Sequence, residues 1–221
     1  MELSQARIVV LVENLYQELE LWYPVLRFRE DGAQVRVVGP STDEVYASKI
    51  GYPARADLTV QDIDLDSVDA VIIPGGFSPE YLRRNPDMVK LVRDADARNL
   101  VVAAICHAGW MLATAGIVSG RQATCVATIK DDVVNAGALF RDEPVVVDGN
   151  LITSRLPNDL PEFCAAIKDA LEAREPAKGG PLPALNEPPN SSPAYTATAI
   201  MKNRAAGPGS SNYRAYAVLD S

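Results

Sequence analysis

The fold is decided by Leu100-Val101-Val102-Ala103-Ala104-Ile105-Cys106-His107-Ala108-Gly109-Trp110-Met111-Leu112. An apolar run ends abruptly on a cysteine, and a second apolar pattern starts at once. Val101 to Ile105 reads as a strand buried on both faces. Residues 107–115 read as a helix, with Trp110, Met111 and Leu112 supplying its apolar faces. Cys106 then stands in a sharp strand-to-helix turn, and the small residues Ala104 and Ala108 flank it two positions away. This is the steric pattern of a nucleophile elbow with Cys in place of Ser. Small neighbours let strand and helix approach closely, and the turn lifts the sulfur over the sheet edge. The helix N-terminus adds positive potential and free N–H groups, which lower a thiol pKa and can hold an oxyanion. The alternative is a buried structural cysteine, a common setting for a free thiol.

Upstream, Val68 to Ile73 is a second buried strand, running into Pro74-Gly75-Gly76. Two glycines after a strand let the backbone turn with positive φ and aim N–H groups at a ligand, although a plain turn has the same composition. A helix over Pro86–Arg98 joins the two strands. Near the start of the chain, Arg7 to Val12 is a strand, Tyr16 to Asp31 a helix stopped by Gly32, and Gln34 to Val38 another strand. Leu15, Leu19, Trp22 and Leu26 recur at helical spacing and are expected to form the buried face, with Pro24 tolerated early or kinking the helix. Residues 41–60 are irregular, with short strands at Val45–Ala47 and Ala54–Thr59. Asp62, Asp64 and Asp66 alternate in a loop that reads as a solvated turn, because it lacks the Gly and closing Glu of a calcium loop.

The order β-α-β, excursion, β-α-β, elbow, α predicts an α/β domain. Its flavodoxin-like, doubly wound, mostly parallel sheet is sandwiched by helices, with the nucleophile elbow at Cys106. Ligands bind such a sheet at the C-terminal ends of its strands, where Cys106 and Gly75-Gly76 both fall. Further on, Ile129 to Ala138 reads as a helix. Val145–Val147 and Leu151–Thr153 read as a hairpin with Asp148-Gly149 in its turn. Leu160 to Arg174 reads as a helix capped by Asn158 or Asp159, burying Phe163, Ile167 and Leu171. After Glu175 the composition turns to Pro, Gly and Ser. This divides the chain into a domain over residues 1–175 and a C-terminal extension over 176–221. The extension is expected to wrap the body or a neighbouring subunit, with Ala194–Met201 and Tyr213–Leu219 as anchors.

Composition narrows the partners. The chain has 221 residues, 48% of them hydrophobic, and a net charge of −8. No basic stripe appears, which argues against nucleic acid and acidic membranes. No apolar run approaches the ~18 residues of a membrane span, and the first residues lack the pattern of a signal peptide. Three dispersed cysteines, Cys106, Cys125 and Cys164, form no disulfide framework. A reducing cytoplasm is expected, with no cofactor and no metal. The single histidine, His107, directly follows the candidate nucleophile. Any Cys–His chemistry must therefore use this adjacent pair.

Several motifs together resemble the ThiJ/PfpI family of the class I glutamine amidotransferase-like superfamily, over about residues 6–172. They are Glu20-Leu21-Trp22-Tyr23-Pro24, Ile73-Pro74-Gly75-Gly76 with Pro79-Glu80, Ala104-Ile105-Cys106-His107, Thr128-Ile129-Lys130-Asp131-Asp132 with Asn135-Ala136-Gly137, and Val147-Asp148-Gly149-Asn150 with Thr153-Ser154-Arg155. The PfpI branch is the most similar, since its members carry a His after the Cys. The resemblance implies Cys106 as nucleophile, Glu20 as the acid bonded to its sulfur, and His107 as general base. It implies an oxyanion hole from Gly75, Gly76 and the His107 N–H, and Glu80 as an acid that reaches the His of a neighbouring subunit. It also implies a homo-oligomer, a dimer or hexamer, acting on a small-molecule or peptide substrate. The chain departs from the family at Gln17, where an acid is usual, and at Cys125 and Ala127, where Ser and Pro are usual.

Three functions fit these residues. The first is a cysteine-nucleophile hydrolase of PfpI type, an intracellular peptidase. The second is a glyoxalase III or deglycase, in which the thiolate adds to methylglyoxal or a glycated group. The third is a non-enzymatic redox-sensing stress protein or chaperone, with Cys106 as the oxidised group. A glutaminase with a distant His is disfavoured, because no His follows position 107.

Overall fold

The computed structural model describes residues 1–184. In chain order its elements are β1 (Arg7–Leu11), α1 (Glu18–Glu30), β2 (Gln34–Gly39), β3 (Val45–Ala47), β4 (Pro53–Arg55), β5 (Leu58–Thr59) and β6 (Ala70–Ile73). There follow α2 (Ser78–Leu82), α3 (Pro86–Ala97), β7 (Val101–Ile105), α4 (Gly109–Ala115), β8 (Gln122–Ala123), α5 (Lys130–Asn135), β9 (Leu139–Phe140), β10 (Val145–Asp148), β11 (Leu151–Ser154) and α6 (Leu160–Glu172).

Seven strands form the central sheet in the order β10-β11-β7-β6-β1-β2-β5. Only the β10–β11 pair is antiparallel. Alternate residues of the inner strands feed two cores. Val9, Val71 and Val102 pack toward α3 and α4, while Ile8, Ile72 and Ala103 pack with Phe28 of α1 and Phe163 of α6. Both faces are therefore dry, which is why these strands are unbroken apolar runs rather than alternating ones. The register positions the site. Ile73 pairs with Ala104, so Pro74-Gly75-Gly76 and Ile105-Cys106-His107 leave the sheet side by side.

Several expectations are corrected. The buried face of α1 is Glu20, Leu21, Pro24, Val25 and Phe28. Leu19 and Leu26 are instead 55% and 57% exposed, and Leu15 lies before the helix with φ 62°. Two apolar sets share the helical period, and an acid within the true buried set hid it. The helix over 129–138 is shorter, with a 3-10 turn before Lys130 and an end at Asn135. The hairpin turn is Gly149-Asn150, since Asp148 already pairs with Leu151. Asp159 makes no capping bond to α6. Its carboxylate takes the Arg155 guanidinium at 3.0 Å instead, because an ion pair with a near neighbour outcompetes the cap. The acidic loop keeps its carboxylates occupied. Asp62 accepts from the Thr59 N–H at 2.8 Å, Asp64 accepts from the Asp66 N–H at 3.0 Å, and Asp66 takes Arg98 at 2.5 Å.

The described part of the extension, residues 176–184, is tied to the N-terminal ends of β1 and β6. The buried Asp69 accepts from the Arg7 N–H at 2.8 Å and from the Ala177 N–H at 2.6 Å. The Arg7 guanidinium donates to the carbonyls of Ala177, Gly179 and Gly180, and Leu182 is buried. This segment runs along the sheet edge opposite Cys106. The expected anchors at 194–201 and 213–219 lie outside the described residues.

Candidate active site

Cys106 ends β7 with φ 63°, a left-handed conformation that costs a non-glycine residue on the order of 1 kcal/mol. Cys106–Ala108 form one 3-10 turn, and α4 starts only at Gly109. Cys106 therefore lies in a tight strand-to-helix turn between the small residues Ala104 and Ala108. The N–H groups of His107 and Gly76 both reach the sulfur.

The Gly75-Gly76 pair is required by close approach as much as by conformation. A Cβ on Gly75 would stand 2.6 Å from Glu20 Oε2 and 2.7 Å from Cys106 Cβ. Gly76 has φ 69°, and a Cβ there would meet the Leu15 carbonyl oxygen at 2.4 Å. Tyr16, fully buried, bridges to Gly76 on one side and Ser48 on the other, and this holds the Gly76 N–H in place. Gly75 does not join the oxyanion hole. Its N–H donates to Glu20 Oε2 at 2.8 Å, and the backbone donors at the sulfur are those of Gly76 and His107.

Glu20 is the one carboxylate of α1 that points inward, and it is fully buried. Gln17 takes the place of the usual acid as N-cap, its Oε1 accepting from the Glu20 N–H at 2.9 Å. Pro24, one helical turn on, has no N–H, so it leaves the Glu20 carbonyl outside the helical ladder. Glu20 Oε1 is buried without a conventional hydrogen-bond partner, and the carboxyl lies against Cys106. Burial pushes Glu20 up to about 7, against the opposing pull of the Gly75 N–H and the thiol.

His107 points back at the sulfur, with Nδ1 3.3 Å from Cys106 Sγ. An adjacent pair on an elbow can easily diverge, and here it converges. Trp110, one turn along, stands edge-on to the imidazole with ring centroids 5.1 Å apart. The Trp110 indole N–H donates to Asp132 at 2.8 Å, and Arg83 lies over its ring. Thr128 Oγ1 lies 3.3 Å from His107 Nε2. Burial, and then the charge of Lys49, lower the His107 pKa, which favours the neutral ring.

Burial opposes the drop in thiol pKa expected at a helix N-terminus. Burial pushes Cys106 up to about 12, and a charged Glu20 adds to the rise. The N–H groups of His107 and Gly76 act in the opposite direction but do not outweigh desolvation. Two buried acids in contact accommodate one negative charge between them, and they titrate as a pair. Glu80 is engaged by two arginines of its own chain. It accepts from Arg84 at 2.7 Å and pairs with Arg83, which together hold its carboxyl below the usual range. No site role was read for Tyr16, Trp110 or Thr128 from the sequence: Tyr16 and Trp110 stood as helix residues and Thr128 only as part of a motif.

The DJ-1/PfpI family model matches residues 6–170. An uncharacterised protein of Archaeoglobus fulgidus is 47% identical over 161 residues, 73% of this chain and 95% of its own length. The protein named deglycase PfpI in Pyrococcus furiosus is 38% identical over 154 residues, 70% of this chain and 92% of its own. Among solved structures, an Anabaena variabilis protein with DJ-1/ThiJ/PfpI-like and ferritin-like domains is similar with a TM-score of 0.74 and 38% identity. That match covers 78% of this chain and 51% of the two-domain protein. No helix among the described residues is long and apolar enough to cross a membrane. With this match over residues 6–170 and these relatives, the chain belongs to the DJ-1/PfpI family.

Proposed function

We propose that the protein is a cysteine-dependent enzyme acting on small reactive carbonyl compounds, of the deglycase or glyoxalase type. The observation that carries this reading is Cys106, only 7% exposed, between a buried acid and an imidazole. So narrow an opening suits an aldehyde better than an extended peptide. The name of the Pyrococcus furiosus relative, a deglycase, supports the same class.

In this reading Glu20 keeps its proton and donates to the sulfur as the thiolate forms, while His107 Nδ1 takes the thiol proton. Sγ bonds to the aldehyde carbon, and the carbonyl electron pair moves onto oxygen. The N–H groups of Gly76 and His107 receive that oxygen, and a proton completes the hemithioacetal. For methylglyoxal, a proton then moves from the former aldehyde carbon to its neighbour. This oxidises the first carbon to a thioester and reduces the second to an alcohol. Water releases lactate and restores the thiol.

Glu80 is proposed to complete the site only in an oligomer, where it faces His107 of another copy. The exposed apolar residues Leu19, Tyr23 and Leu26 on α1 support assembly. Light scattering of the full chain tests the oligomer.

The decisive experiment supplies the full-length protein with methylglyoxal, a glycated N-acetyl amino acid and a fluorogenic peptide, each against Cys106→Ser. Lactate or deglycated product formed only by the wild type is expected. Cys106-dependent peptide cleavage with no carbonyl turnover would overturn this reading in favour of a peptidase. No turnover of any substrate, with Cys106 oxidised reversibly by peroxide, would leave the redox-sensor reading.

A further inference from the structure

We propose that Lys49 is a substrate-recognition residue that makes this site prefer carbonyl compounds bearing a carboxylate a few bonds from the reacting carbonyl. The inference rests on the Cys106-nucleophile reading above and narrows its substrate class.

The backbone brings Lys49 to the rim of the site. Tyr16 bridges Gly76 on one side and Ser48 on the other. Ser48, Tyr16 and Gly76 thus lie side by side as three strands would, roughly 10 Å from first to last. Lys49 follows Ser48, and its N–H donates to the Tyr16 carbonyl at 3.0 Å. The turn is fixed from beneath. The hydroxyl of the buried Ser48 accepts from the Tyr52 N–H at 2.8 Å and from the Ile50 N–H at 3.3 Å. The Tyr16 hydroxyl donates to the Tyr52 carbonyl at 2.6 Å. The same residue, Tyr16, therefore holds both the Gly76 N–H and the backbone of Lys49. Lys49 itself is exposed, and its charge acts on both Glu20 and His107, the groups that flank the sulfur.

Neighbouring charges leave this cation available. Lys49 makes no ion pair among the described residues. Glu18 belongs to the same corner, and its Oε1 accepts from the Ile50 N–H at 3.0 Å. At Glu20 the charge of Lys49 outweighs that of Glu18. Glu80 of a neighbouring copy, proposed above to face His107, has one oxygen on Arg83 and the other on Arg84. Its helix therefore brings one net positive charge to the site and no competing anion.

The chemistry of the ligand follows from that single cation. The narrow opening admits an aldehyde to Cys106 and leaves the rest of the molecule at the rim. One ammonium there balances one negative charge, which is what a carboxylate carries. A phosphate ester carries about −1.5 to −2 near neutral pH and calls for more donors than one lysine supplies. A point charge on a flexible stem also tolerates different spacings between carbonyl and carboxylate.

Two readouts on the full-length protein test this. The first needs no turnover. Cys106 is alkylated with iodoacetate, which carries a carboxylate, and with neutral iodoacetamide, and the Cys106 peptide is followed by mass spectrometry. The ratio of the two rates cancels any change in the nucleophile itself, and it is referred to the same ratio for free cysteine. The wild type is expected to favour iodoacetate about five-fold over that reference, the size one charge near a protein surface supports. Lys49→Gln should lose the preference, Lys49→Arg should keep it, and added salt should narrow it. The second readout compares 4,5-dioxopentanoate, a methylglyoxal analogue with a terminal carboxylate, with its methyl ester. The acid-to-ester ratio of kcat/KM is expected to fall about five-fold in Lys49→Gln, through KM.

A wild-type labelling ratio equal to that of free cysteine would overturn the proposal. So would an unchanged ratio in Lys49→Gln. Equal losses on acid and ester in that variant would overturn it as well, since a merely structural turn residue gives that result. A wild type that turns over neither compound sinks the enzyme reading, and the labelling ratio then decides alone whether Lys49 recognises a carboxylate at this site.

Discussion

Cys106 and Cys164 are both buried, and burial pushes each thiol up to about 12. Their surroundings differ completely. Cys164 sits within α6, packed among Phe163, Leu160 and the underside of α1, with only the distant charge of Arg27 acting on it. Cys106 sits on a strained elbow with two backbone N–H groups, a buried carboxyl and an imidazole around the sulfur. Desolvation is thus common to both and cannot make a nucleophile. What separates them is a set of groups able to move a proton and receive a charge at the moment it forms. Such groups are placed by the ends of β6 and β7, where parallel strands leave the sheet together. The middle of a helix offers none, because its backbone N–H groups are spent on its own ladder.

The largest expected effect is on turnover. Cys106→Ser should abolish carbonyl turnover by roughly a thousandfold or more, while Cys164→Ser leaves it within about two-fold. Equal losses in the two variants, measured as product formation, would erase the distinction.

Next is the pH dependence of stability. Glu20 has a folded pKa of about 7, above the 4.5 of a free glutamate carboxyl. An acid whose pKa is raised by folding prefers its protonated form in the folded state. Its favourable share of stability is full below pH 4.5 and is lost as pH rises through about 7. Urea unfolding should therefore weaken across that window by roughly 3 kcal/mol, and Glu20→Gln should flatten the slope. A wild-type profile already flat there would mean the carboxyl is charged in the fold.

Gly75→Ala sharpens the steric side. The added methyl would fall between Glu20 and Cys106, so it should cost about 2 kcal/mol in unfolding free energy as well as slow Cys106 labelling. The smallest effect belongs to Glu80→Gln. Its partners Arg83 and Arg84 are on the surface, so stability should change by no more than about 0.5 kcal/mol. A larger change, dependent on protein concentration, would mean that Glu80 works at a contact between copies.

The turn at Cys106 and the sheet were legible in the chain because both follow from local rules. Buried parallel strands must be apolar throughout, and a tight strand-to-helix turn must have small residues on either side. The motif set around Glu20, Gly75-Gly76 and Cys106-His107 was legible for a related reason, since the order of strands alone brings those segments to one edge. The buried face of α1 was misread because Leu19, Trp22 and Leu26 fit the helical period as well as Leu21, Val25 and Phe28 do. Only the sheet beneath the helix selects between them, and it selects the set that includes an acid.

By itself, then, the sequence determined the doubly wound sheet and the place of Cys106 at its edge, next to the single histidine. The tertiary structure alone decided which N–H groups face the sulfur, that Gly75 serves Glu20 instead, that His107 turns back toward Cys106, and that Thr128 meets its far nitrogen. The physical reason is range. Apolar periodicity and turn sterics act over a few neighbouring residues and leave a mark in their order. A hydrogen bond between residues 20 and 75 or 107 and 128 depends on the register of strands and the rotation of helices, which no short stretch of chain records.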